Sequence, residues 1–136
     1  MTKKSSTNAD VKMFELPFVD FTYCLVTSEK EEKQLCKTLG MKRSMLGKYN
    51  GAGQCVSISN GRGEINIVRL YPNEEFNLAE HLGLLAHEVN HIKQNYMEYL
   101  GERQPSAEFE CYIIQELMAD LTNEYLHIVG VDTDMG

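Results

Sequence analysis

The chain has 136 residues, 43% apolar and 24% charged, with a net charge of −7. That length suits one domain and excludes a multidomain assembly, and the composition excludes a fibre or a wholly disordered chain. The charge is uneven: residues 1–50 carry nine Lys/Arg against six Asp/Glu, and residues 51–136 carry four against fourteen. An acidic half so poor in cations is a weak phosphate binder, so nucleic acid is not expected as a partner.

No apolar run approaches the ~18 residues of a membrane span. The opening MTKKSSTNAD is followed by no apolar h-region, so a cytoplasmic protein without a membrane partner is expected. Cys24, Cys36, Cys55 and Cys111 form no CxxC pair and read as reduced thiols, not as a disulfide framework or a thiolate zinc site.

In chain order, residues 1–13 read as a flexible segment, 14–130 as the domain and 131–136 as a flexible tail. FELPFVDFTYCLVT predicts an irregular start at Pro17 and then a strand over 20–27. Ser28 with Glu31 is a capping-box signal for a helix over 29–39, stopped by Gly40, with Leu35 and Leu39 inward. Residues 40–53, rich in glycine, read as a loop. QCVSIS (54–59) and EINIVRL (64–70) flank Asn60-Gly61, a hairpin signal.

In the second strand Ile65, Ile67 and Arg69 share one face, and Asn66, Val68 and Leu70 the other. That strand is expected to be covered by helices on one side and to lie along a cleft as an exposed edge, where an extended peptide could add by main-chain hydrogen bonds. From Asn77 the period changes: Leu78, Leu82, Leu85, Val89, Ile92 and Tyr96 predict a helix over 77–100, ended by Gly101. Ser106 then caps a second long helix over 107–128, closed by Gly130. In the tail, Asp132, Asp134 and Gly136 echo the opening of a calcium loop, but the remaining ligands are missing. The expected fold class is α+β, a small and mostly antiparallel sheet packed on about three helices.

The chemistry concentrates in His87-Glu88-Val89-Asn90-His91, an HExxH. At ~100° per residue the two histidines fall about 40° apart on one helix face, one turn from each other, where two imidazoles can chelate one zinc ion. Glu88 stands beside them as a general base. A chance match is expected in roughly one chain in a hundred of this composition, and the apolar Leu84-Leu85-Ala86 and uncharged Val89-Asn90 raise the odds. Lys93 departs from the pattern, since an apolar residue is common there.

A catalytic zinc takes three protein ligands. No third histidine follows at the HExxHxxGxxH spacing, so an acidic ligand is expected on the helix after 106, from Glu108, Glu110 or Glu116. A straight helical hairpin would bring Glu116 level with the histidines. His81 falls off the ligand stripe and reads as a surface residue, and His127 reads as a C-terminal cap. Tyr96, Tyr99 and Tyr112 are candidates to polarise a carbonyl, with Tyr112 preferred.

The arrangement resembles the gluzincin branch of zinc metallopeptidases, and more closely a family of small zincin-like phage and prophage proteins. Tyr23-Cys24-Leu25, the helix from His87 to Gln94, Gly101 with Pro105, and the segment from Glu108 through Tyr112 to Gln115 are similar to that family's motifs over about residues 18–125. Cys111 stands where alanine is usual. The resemblance implies a zincin-like fold with a central HExxH helix, and zinc on His87, His91 and Glu108. It implies peptide hydrolysis with a peptide or protein substrate such as a host or phage protein, in the host cytoplasm if phage-encoded. The alternatives are a phage-encoded zinc-binding protein that blocks or tethers a host factor without turnover, and a hydrolase of a non-peptide amide such as a cell-wall link.

Overall fold

In the computed structural model, residues 11–49, 51, 53–59, 61–72, 75 and 77–130 are described. Of the segment expected to be flexible over 1–13, residues 1–10 lie outside them, and Met13 begins a strand. The tail 131–136 with its calcium-like Asp132, Asp134 and Gly136, and Asn60 of the turn, also lie outside. The elements run β1 (Met13–Leu16), β2 (Phe21–Val26), α1 (Glu29–Leu39), a 3-10 turn (Arg43–Leu46), β3 (Gln54–Ser59), β4 (Glu64–Arg69), α2 (Leu78–Leu100) and α3 (Ala107–Ile128). No helix among the described residues is long and apolar enough to cross a membrane.

Local chemistry sets the helix boundaries. Ser28 Oγ accepts from the Glu31 amide at 3.1 Å, while the Glu31 carboxylate reaches one residue further back than a capping box requires, to the Thr27 N–H and hydroxyl. Asn77 and Glu80 form a reciprocal capping box at the start of α2. Gly40 and Gly101 end α1 and α2 in the left-handed conformation, donating back to the last-turn carbonyls.

The class is α+β, but the sheet is mixed. Its order is β1-β2-β4-β3, with β1–β2 and β3–β4 antiparallel and the central β2–β4 pair parallel. The expectation of a mostly antiparallel sheet missed that central pair because α1 and the following loop give enough chain to cross over the sheet, so β4 returns beside β2 in the same direction. Strand β1 was also missed, since Pro17 made Met13–Leu16 read as irregular.

Strand β4, expected as an exposed edge, is interior, between β2 and β3, and almost wholly buried; β3 is the edge on that side and β1 the edge on the other. Apolar residues on both faces of a strand mean cover on both sides. Val68 and Leu70, with Phe21, Tyr23 and Leu25, pack on α2 and α3, and Ile65 and Ile67, with Cys24 and Val26, pack on the α1 side with Leu35, Cys36 and Leu46. One helix therefore covers one face of the sheet and the α2–α3 hairpin the other.

Arg69 sits on the α1 face as its alternation requires, and an ion-pair network accounts for its burial. Its Nε lies 2.6 Å from Glu32 Oε2, both side chains being at most 3% exposed, and Arg43 Nε meets the other carboxylate oxygen at 2.7 Å. Arg69 Nη1 donates to the carbonyls of Leu46 and Gly47 and to Gln54 Oε1. Burial alone would push the Glu32 pKa up, but the two guanidiniums outweigh it and hold the carboxyl below the usual glutamate range.

Candidate functional site

The HExxH lies in the middle of α2, which spans 23 residues. The His87 and His91 rings stand 4.9 Å apart, centroid to centroid, and 77° to each other, and both side chains are exposed. Glu88 takes the opposite disposition. It is only 4% exposed, turned in toward the start of β3. Burial pushes its pKa above the ordinary glutamate value, and the neighbouring histidines pull the other way without cancelling the shift.

The pocket for that carboxylate is made by residues that carry no motif. Gly53 has φ 91, and a Cβ there would lie 3.5 Å from Glu88 Oε2 and 3.8 Å from Leu70. Beside it stands the half-buried Cys55, whose thiol is pushed up to about 12 by burial and then by the Glu88 charge. Cys55 Sγ contacts Asn66 Oδ1 at 3.7 Å, and Asn95, two turns on from Glu88, donates to the same oxygen at 2.7 Å. Asn66 Nδ2 is buried with no hydrogen-bond partner among the described residues. Sequence reasoning placed Gly53 in a loop and Cys55 among inert thiols. Only the glycine before the strand hinted at close approach, and nothing in the sequence identified what it approaches.

Gly53→Ala puts a side chain into a left-handed backbone and against Glu88. A loss of about 1–3 kcal/mol in urea unfolding is expected; a change below 0.5 kcal/mol would show that the loop relaxes freely.

The α3 candidates come to a different place. The Lys93 ammonium lies 3.6 Å from Glu110 Oε1, which marks the facing flanks of α2 and α3. At ~100° per residue, His87 lies about 120° and His91 about 160° round α2 from Lys93. On α3, Glu108 and Tyr112 each lie about 160° from Glu110, and Glu116 about 120°. The histidines thus look away from α3, while Glu108, Tyr112 and Glu116, all exposed, look away from α2. The contacts Lys93–Glu110 and His81–Tyr125 fix the register of the hairpin, and Glu116 is level with the HExxH as a straight hairpin predicts. Its level is right and its flank is not. Among the described residues, no three His, Cys, Asp or Glu side chains are grouped to hold a metal ion.

His81, read from the sequence as a surface residue, is instead buried against the Tyr125 hydroxyl. Its position on the core side of α2 explains this, since the apolar stripe of Leu85, Val89 and Ile92 continues through it. A cavity of about 660 Å³ at the α2–α3 elbow is lined by Lys93, Met97, Glu102, Arg103 and Pro105 among others, and includes neither histidine nor Glu88.

No family model, curated protein or solved structure matches the chain.

Proposed function

We propose that the chain is a zinc-dependent hydrolase of peptide bonds, centred on His87, Glu88 and His91. The observation that carries the reading is a buried carboxyl group next to an exposed pair of imidazoles one helical turn apart. Two neutral imidazoles in that relation suit a zinc ion as part of its donor set; the third protein donor is not assembled among the described residues. Zinc, when bound, supplies a Lewis acid that polarises a carbonyl and acidifies water.

The remaining chemistry belongs to the side chains. Glu88 is the base: its carboxylate takes the proton of the attacking water and passes it to the leaving amine nitrogen. Its raised pKa moves its proton affinity toward that of the groups it serves, at the cost of keeping it protonated to higher pH. The outer edge of β3, unpaired among the described residues, begins beside Glu88 at Gly53, and an extended peptide adding to that edge would start its main chain alongside the base. Tyr112 and Glu108 stand on the far flank of α3, so neither is given a step.

Zinc titration of the metal-free protein tests this. One zinc per chain is expected, with His87→Ala or His91→Ala weakening binding at least tenfold. Saturation at a hundredfold excess over Kd should stabilise the fold by about 2.7 kcal/mol. No zinc binding by calorimetry would sink the reading. Glu108→Ala separates its two sources: a tenfold loss would mean that the family resemblance identifies the third ligand, and no change that ligation comes from elsewhere.

A second reading has an observation of its own. The histidines face solvent while the carboxylate faces inward, which also suits a protein that binds zinc and a host factor without turnover. Glu88→Gln distinguishes the two, because only hydrolysis requires the base.

A further inference from the structure

The turn between β1 and β2 holds a bulky residue in a conformation that favours glycine. Phe18 has φ 81, the only left-handed non-glycine residue among those described. Its ring gains little from this, being 79% exposed. The turn is nevertheless held at both ends. The Tyr96 hydroxyl donates to the Pro17 carbonyl at 2.5 Å, and the Glu64 amide donates to the Asp20 carbonyl at 3.0 Å. A Cβ on Gly63 would fall 2.3 Å from that same Asp20 oxygen, so the β3–β4 turn is packed hard against it.

A strained backbone clamped from two sides to present an exposed aromatic ring is a preorganised anchor. It does not stand alone. The Phe109 ring on α3 lies 6.4 Å from Phe18, tilted 48°, and Tyr112, one turn further along α3, is 60% exposed. Glu108 and Glu116, both exposed, fall by helical phase on the same side of α3, Glu108 next to Phe109 in sequence and Glu116 one turn beyond Tyr112. Exposed aromatic faces with carboxylates on the same flank are complementary to guanidinium groups, which stack on the rings and pair with the acids.

We propose that the Phe18–Phe109 platform, with Tyr112, Glu108 and Glu116, is a docking surface for an arginine-bearing segment of a partner protein. The surface lies on the flank of α3 away from α2, and is independent of His87, Glu88 and His91.

The test uses the full chain and a twelve-residue peptide alternating arginine with leucine, followed by fluorescence anisotropy at 150 mM salt. A peptide with glutamate in place of arginine is the control. The arginine peptide is expected to bind at least tenfold more tightly than the control. Phe18→Gly and Glu108→Lys should each weaken it at least fivefold. Phe18→Gly should also melt no more than 3 °C below wild type, because glycine accepts φ 81 and the lost ring was exposed. Binding that survives Phe18→Gly, or does not discriminate between the peptides, would overturn the proposal. So would a larger fall in melting temperature, which would make Phe18 a packing residue. Phosphatidylglycerol vesicles binding in a Phe18-dependent manner would also overturn it, by assigning the surface to a membrane.

Discussion

Glu32→Ala is expected to destabilise the fold by about 3–5 kcal/mol, the usual cost of leaving a buried charge without its partner. Arg69 would keep its hydrogen bonds to Leu46, Gly47 and Gln54, but all three are to neutral oxygens. Its charge would have no counterion at 3% exposure. Arg43, more than a third exposed, can turn to water and adds little. Replacing Glu32 and Arg69 together by methionine should recover most of the loss, since the penalty comes from the unpaired ion. Urea unfolding with an unchanged m-value would check both variants; a loss under 1 kcal/mol for Glu32→Ala would mean that water reaches Arg69.

The same pair sets an acid limit. The Glu32 pKa is lower folded than unfolded, so the folded state binds fewer protons through this group. Its contribution is complete above the ordinary glutamate value of about 4.3 and is lost as pH falls through the lower folded value. Wild type should therefore lose stability below about pH 4 more steeply than the double methionine variant.

Glu88→Gln should have the largest effect on activity. Loss of a positioned general base costs about a hundredfold to ten-thousandfold in rate, while zinc affinity should stay near wild type because Glu88 is not among the proposed ligands. Digestion of a peptide library, read by mass spectrometry, would check the rate, and undiminished cleavage would remove Glu88 from the mechanism. The variant also has a stability signature of opposite sign to that at Glu32. The Glu88 pKa is raised on folding, so ionising it in the fold is unfavourable. That cost is absent below the ordinary glutamate value and grows as pH rises through the raised folded value. In the metal-free protein, Glu88→Gln should melt above wild type at pH 8 and level with it at pH 4.

The helices were legible because their signals are local. Ser28, Asn77 and Ser106 start them, glycine ends two of them, and the 3.6-residue period of α2 runs without a break from Leu78 to Tyr96. The β3–β4 hairpin was legible for the same reason. The neighbour of β2 was not, because pairing Phe21 with Glu64 depends on how far a connection can carry the chain, which periodicity does not encode. The candidate site divides along the same line. The HExxH is five consecutive residues and was read directly. Glu88 meets Gly53 and Cys55, from just before and within β3, across an interface that no local pattern encodes, and the flank on which Glu108 falls depends on the roll of α3 against α2. A helical wheel fixes angles within a helix; only a contact such as Lys93–Glu110 fixes them between two.

The parallel seam between β2 and β4 also bears on the order of assembly. Helices α2 and α3 join through a short turn and can dock early at little loop-closure cost. The sheet cannot be completed until Phe21–Val26 meets Glu64–Arg69 across the intervening helix, 3-10 turn and β3, a contact of long sequence separation that slows folding. Until that seam closes, the apolar faces of β4 and of the helical hairpin stay open to solvent. Growth temperature and chaperone supply should therefore govern the recovery of soluble protein more strongly than the equilibrium stability of the finished fold.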